Sequence, residues 1–193
     1  MLPKSTVLVI PLLLLLLHAD SFGLPARDVQ VITDGEYFEV VHTCFKEAQS
    51  SIKVMMFEAS YYEKYPNSPT NVLIRELIAA HKRGVSVKVI LERRDQRQRA
   101  SVTNEKTGSM LSRGGVDVVY DPATVTTHTK LLIVDGTISV VGSTNWTYSA
   151  LEKNHEVSVL VRSSEVARRL QDYFQTIWKT CTHQRQGNED GRR

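Results

Sequence analysis

Cysteine is scarce in this chain: there are two in 193 residues, Cys44 and Cys181. So few cannot define a disulfide framework, and the fold must rest on a hydrophobic core. In an oxidising compartment the two can pair and tie the first helix to the last. The alternative is two separate thiols. No group of Cys and His has the spacing of a zinc site. A strong charge of one sign is also missing, with 24 Lys and Arg against 21 Asp and Glu. The net charge of +3 admits phosphate-rich partners without demanding them. There is no internal repeat, and beyond the leucines near the N-terminus there is no low-complexity tract.

What is present begins with those leucines. Lys4 precedes an apolar stretch from Val7 to Leu17 with six consecutive leucines from Leu12. Small residues follow at Ala19, Ser21 and Gly23. This is the order of a secretory signal peptide, cut after Gly23 or Ala19. The competing reading is a retained membrane anchor, although the run is short of the ~20 residues that a span requires. The expected organisation is a leader over 1–23, one domain over 24–183 and a polar tail over 184–193. The expected address is periplasmic or secreted, with membrane attachment if the leader is kept.

The rest of the chain alternates helix and strand patterns. Val29 to Ile32 reads as a short strand, and Asp34-Gly35 turns the chain. Phe38, Val41, Phe45 and Ala48 recur at helical spacing across Glu36–Ser50. Ile52 to Glu58 suits a buried strand, and Tyr61 to Pro69 is an aromatic, polar loop. Leu73, Ile74, Leu77 and Ile78 line one side of a helix over Asn71–Arg83, which Gly84 stops. Val85, Val87, Val89 and Leu91 alternate as a strand. This β-α-β unit predicts parallel pairing with a right-handed crossover. Arg93–Arg99 reads as a basic loop, Glu105–Arg113 as a short helix and Val116–Tyr120 as a strand. Glu156–Val161 reads as an inner strand. Ser163 caps a last helix whose buried stripe is Leu170, Phe174, Ile177 and Trp178. The sum is an α/β sandwich with a mixed, largely parallel central sheet and helices on both faces.

The most informative stretch is HTKLLIVDGTISVVGSTN, His128 to Asn145. The β-branched run predicts a strand that turns His128 and Lys130 to one face. An imidazole beside an ammonium is poor core material, since a buried charge needs a partner. Asp135-Gly136 predicts a tight turn into a second apolar run, which ends at Gly142, Ser143 and Asn145. One hairpin thus offers His, Lys, Ser and Asn to one small anionic group. These residues fit H-x-K-x4-D-x6-G-S-x-N without departure. The segment resembles the HKD motif of the phospholipase D superfamily. The likeness extends to Ser51–Phe57, to the helix–strand unit from Asn71 to Leu91 and to Glu156, which resemble features of the superfamily's small exported bacterial endonucleases.

The resemblance implies a phosphodiesterase that requires no metal or other cofactor. His128 attacks phosphorus and forms a phosphohistidine, while Lys130, Asn145 and Ser143 stabilise the phosphoryl oxygens. Glu156 is expected to orient the His128 imidazole. Asp135 and Gly142 are expected to serve structure. A two-step reaction also needs a second acid–base group. Larger family members carry two motifs in one chain. Here His18, His42, His81, His155 and His183 all lack the H-x-K pattern. A second His128 must therefore come from another copy, which implies an obligate homodimer.

Three substrate readings follow. In the first, the chain is a nuclease of low sequence preference: Arg93, Arg94, Arg97 and Arg99 track a nucleic-acid backbone, and Tyr61, Tyr62 and Trp146 stack on bases. In the second it hydrolyses phospholipid headgroup esters, of phosphatidylcholine or cardiolipin, at a membrane. In the third it binds nucleic acid without catalysis, which the intact set of His128, Lys130, Ser143 and Asn145 argues against.

Overall fold

The computed structural model describes residues 23–94 and 99–183. The leader through residue 22, the tail from residue 184 and Arg97 lie outside the described residues. Eight strands form one sheet: β1 (Asp28–Thr33), β2 (Ser51–Met56), β3 (Ser86–Leu91), β4 (Asp117–Tyr120), β5 (Lys130–Val134), β6 (Ile138–Gly142), β7 (Val157–Arg162) and β8 (Thr182–His183). Between them run α1 (Glu36–Glu47), α2 (Pro69–Lys82), α3 (Arg99–Arg113), α4 (Tyr148–Glu152) and α5 (Ser164–Trp178). The strand order is β1-β7-β6-β5-β2-β3-β4-β8.

Local sequence explains the main elements. Ser68 caps α2 by accepting the Asn71 N–H at 3.4 Å, with Pro69 at the first helical position. Gly84, at φ 94°, ends that helix and turns the chain into β3. Ser163 caps α5 as predicted, accepting the Val166 N–H at 3.2 Å. α3 begins at Arg99 rather than at Glu105, and β8 is a strand that periodicity did not reveal.

β2 and β3 pair in parallel, as the β-α-β pattern predicts, and α3 returns the chain to a parallel β4. The parallel part stops there. β5 lies antiparallel to β2, and the β5–β6, β6–β7, β1–β7 and β4–β8 pairings are antiparallel too. The expectation of a largely parallel sheet is therefore corrected: two of seven pairings are parallel. A parallel neighbour requires a long crossover, whereas a tight turn joins β5 to β6 and residues 121–129 carry no helix.

Helices do cover both faces. Ile52, Val54, Met56, Leu132 and Val134 pack with residues of α1, α2 and α3. Met55, Leu131 and Ile133 point the other way, onto Ala167 and Phe174 of α5. β5 is buried along its whole length because it lies between these two layers. Each such aliphatic side chain contributes roughly 1.5–3 kcal/mol. Cys44 belongs to the first layer and Cys181 packs against the second, and both are free thiols. The sheet lies between them, so the Cys44–Cys181 disulfide option is corrected.

Candidate active site

The hairpin of β5 and β6 is anchored at its turn. Asp135 and Gly136 have φ of 51° and 64°, both left-handed, in a three-residue loop between the paired Val134 and Ile138 that the Thr137 N–H closes onto the Val134 carbonyl at 3.1 Å. The Asp135 carboxylate accepts the N–H groups of Gln49, Ser50 and Ser51 and the Ser50 hydroxyl, all at 2.8–2.9 Å. Burial works against its charge, yet these donors hold the carboxyl below its usual range. Asp135 thus clamps the hairpin to the α1–β2 loop, the structural task expected of it. Gly142 is fixed by a close approach. A Cβ there would stand 2.0 Å from Ser158 Oγ and 2.5 Å from Ser158 Cα on β7.

The far end of the hairpin carries the candidate catalytic residues. His128 lies just before β5, not within it as predicted, and is exposed. The spacing of two residues still brings it to Lys130, whose Nζ is 3.3 Å from His128 Nε2. The same Nζ donates to the His128 carbonyl oxygen at 2.9 Å. Phe57, at the tip of β2, supports both groups. Its ring meets the imidazole edge-on at a centroid distance of 4.7 Å, and Lys130 Nζ lies 4.9 Å from its centroid. Burial lowers the Lys130 ammonium's pKa, and the charge of Glu156 opposes that shift.

Ser143 and Glu156 sit side by side because the Ser143 N–H bonds to the Val157 carbonyl at 3.0 Å. The Ser143 hydroxyl donates to Glu156, and Asn154 Nδ2 donates to the other carboxylate oxygen at 3.0 Å. Asp34 fixes this edge by accepting the Glu156 N–H at 2.8 Å, a bond that lowers its own pKa. Among the described residues no hydrogen bond joins Glu156 to His128. The expected orienting role is therefore corrected within one chain: Glu156 holds Ser143 and faces the Lys130 charge. Asn145 is half-buried, and its Oδ1 has no partner among the described residues. Such an oxygen is costly to leave unpaired and marks an unfinished polar site.

The other candidates scatter. Trp146 is 1% exposed, donates to the Tyr37 hydroxyl at 3.2 Å and packs on Phe45. It is core, which corrects its reading as a stacking residue; burying so large a ring outweighs any surface role. Tyr61 packs against the same core. The Tyr62 hydroxyl accepts the Tyr148 N–H at 3.1 Å, and its ring borders a groove. The Arg93 guanidinium stacks on Tyr120 at 4.4 Å and donates to Thr182. It is a tether rather than a free cation. Arg94 donates to Thr126 Oγ1 at 3.1 Å, near His128 in sequence. The Arg99 side chain is 80% exposed and 3.8 Å from Glu58. Sequence reasoning missed Glu58 and the support that Phe57 gives to His128 and Lys130. The available signal for both was their place at the C-terminal tip of a parallel strand, where α/β sheets bind ligands.

Two hollows flank this edge. A cleft of about 430 Å³ opens at His128, with Val125, Thr126, Thr129, Tyr173 and Ile177 in its wall. A larger groove of about 870 Å³ is lined by Tyr62, Lys64, Tyr65, Arg99 and Tyr148 and contains none of the motif residues. Among the described residues no three His, Cys, Asp or Glu side chains are grouped to hold a metal, and no helix is long and apolar enough to cross a membrane.

A family profile described as "Cardiolipin synthase, PLD-like domain" matches residues 41–178, from within α1 to the end of α5. The chain belongs to this phospholipase D-like family. Phospholipase D of Rickettsia typhi is 28% identical over 175 residues, covering 87% of this chain and 83% of the relative. Mitochondrial cardiolipin hydrolase of Danio rerio is 29% identical over 133 residues, covering 68% and 52%. This phospholipase D-like chain thus spans about half the length of that hydrolase. Among solved structures, the phospholipase D family member Nuc of Salmonella typhimurium superposes with a TM-score of 0.70 at 26% identity, covering 82% of this chain and 99% of that one. NucT of Helicobacter pylori shares the fold, with a TM-score of 0.64 at 15% identity.

Proposed function

We propose that the chain is a metal-independent phosphodiesterase acting through a covalent phosphohistidine at a site shared by two copies, and that it cleaves nucleic acid internally with little sequence preference. The observation that carries the reading is the 3.3 Å approach of Lys130 Nζ to His128 Nε2 at an exposed rim. At that spacing the nucleophile and a cation meet the same phosphoryl group. Nε2 attacks phosphorus, the ester P–O bond breaks, and the leaving oxygen takes a proton from the second copy's His128. That imidazole, now neutral, removes a proton from water. The water oxygen attacks phosphorus, and the P–N bond breaks to restore His128. Lys130 and the Asn145 side chain face the nonbridging oxygens, and Ser143, held by Glu156, supplies a hydroxyl beside them.

One chain supplies one such imidazole, which supports the homodimer. Nucleic acid is favoured by the cations Arg94 and Arg99 at this edge and by the structural match to Nuc, over 82% of this chain and 99% of that one. The leucine-rich leader supports export to the periplasm or the medium. A second reading has its own support: the sequence relatives are named phospholipase D and cardiolipin hydrolase, and a lipid phosphodiester presents the same atoms to His128.

The test uses the chain from Leu24 onward in excess EDTA. Single-stranded DNA, duplex DNA, RNA and vesicles of phosphatidylcholine with cardiolipin are presented in parallel, with His128→Ala as control. Cleavage of a nucleic acid that the control loses is the expected result. Headgroup release without nucleic-acid cleavage would replace the substrate assignment with the lipid one. Full activity in a strictly monomeric chain would contradict the shared site.

A further inference from the structure

Glu92 and Asp121 follow the last residues of the parallel neighbours β3 and β4. Their carboxyl groups therefore meet side by side, 1% and 2% exposed. Both accept the same donor: the Thr127 N–H lies 2.6 Å from Glu92 Oε2 and 2.9 Å from Asp121 Oδ2. Asp121 Oδ1 takes the Arg93 N–H at 2.9 Å, while Glu92 Oε1 has no partner among the described residues. A buried carboxyl pair ordinarily calls for a cation. Arg93 is the nearest in sequence, but its guanidinium lies on Tyr120 and Thr182, and Arg94 reaches Thr126. Among the described residues no ion pair reaches either acid.

We infer that Glu92 and Asp121 are a positioning pair: they hold one proton between them, clamp Thr127 and thereby set the place of His128. Two anions at this contact, sharing a single N–H, repel each other in a dry site, and a shared proton removes the conflict. Thr127 is joined to His128 by one peptide bond, and the His128 N–H bonds in turn to the Thr126 carbonyl at 3.1 Å. Burial, and then the contact with Asp121, pushes the Glu92 carboxyl up to about 7. The other titratable or charged groups around the pair are Arg93 and Arg94 on the adjoining loop, Tyr120 on β4, Cys181 beyond α5 and His128 itself. Arg94 favours the ionised form of Glu92 but is outweighed.

The sign of the pH effect follows. A carboxyl raised in the folded state contributes stability that is complete below about 4.5 and is lost as pH rises through about 7. Glu92→Gln keeps the donor at every pH. It should remove that fall in melting temperature and the infrared band of a protonated carboxyl group. It should also move the alkaline limb of kcat/KM to higher pH. Asp121→Asn is the second variant and should do the same. Glu92→Ala, which leaves the Thr127 N–H to Asp121 alone, should lower kcat roughly 100-fold through misplacement of His128. The activity arm rests on the phosphodiesterase reading; the infrared and stability arms need no substrate, so the two failures are distinguishable. A wild-type chain with no protonated-carboxyl band, or a stability slope that both amide variants retain, would overturn the shared proton. An alkaline limb unmoved in both would overturn the link to His128.

Discussion

At the turn end of the β5–β6 hairpin, the Asp135 carboxylate accepts four hydrogen bonds from the α1–β2 loop and the first residue of β2. At the opposite end, Asn145 Oδ1 is buried without a hydrogen-bond partner among the described residues. His128 stands exposed, and Lys130 is held partly out of water. Both ends belong to one eighteen-residue motif and one pair of strands. The turn end spends its polar groups on fixing the hairpin. The site end leaves hydrogen-bonding capacity open, and a phosphoryl group can fill it. A motif can therefore be conformationally rigid at one end and chemically incomplete at the other.

The comparison breaks most sharply at His128. His128→Ala should lower turnover by about 10⁴-fold or more while the melting temperature stays within a degree or two of wild type. Retained activity in a clean preparation would remove the assigned nucleophile. Lys130→Ala should cost roughly 10²–10³-fold in kcat/KM, with most of the loss in kcat. A change confined to KM would mean that Lys130 only holds substrate.

The turn end should answer in the other currency. Asp135→Ala should cost about 1–3 kcal/mol of stability, read by urea denaturation, because three backbone donors lose a charged acceptor. Activity per folded molecule should stay close to wild type. The Asp135 carboxyl is depressed in the folded chain, so its contribution is present at neutral pH and is lost as pH falls through its lowered pKa. The variant should therefore show a shallower loss of stability in acid. The smallest effect is expected at Glu156→Gln, about tenfold in kcat/KM, since Gln still accepts from Ser143 but no longer supports the Lys130 charge. A loss as large as that of His128→Ala would give Glu156 a more direct part.

The motif itself was legible because its spacing is local. Two-residue intervals in a strand put His128 beside Lys130, and Asp-Gly between apolar runs marks a hairpin. The β2–α2–β3 unit and the Ser163 cap were legible for the same reason. Long-range pairings were not. Nothing in Val29–Ile32 says that β1 lies antiparallel to β7, and nothing in residues 121–129 says that β5 turns back on β2. Trp146 follows Asn145 directly, yet its ring enters the core against Tyr37, which a motif reading cannot foresee. Cys44 and Cys181 fall on opposite faces of a sheet whose faces the sequence does not label. Nothing in the sequence pairs Glu92 with Asp121; only the parallel β3–β4 register brings them together.

The most direct test of the central claim is to trap the reaction on the protein. The chain from Leu24 onward would be mixed with oligonucleotide, quenched at alkaline pH and mapped by mass spectrometry. The account predicts a phosphoryl adduct on the peptide carrying His128, stable to alkali, lost in acid and absent from His128→Ala. Turnover at full rate with no adduct on His128 at any time would contradict it.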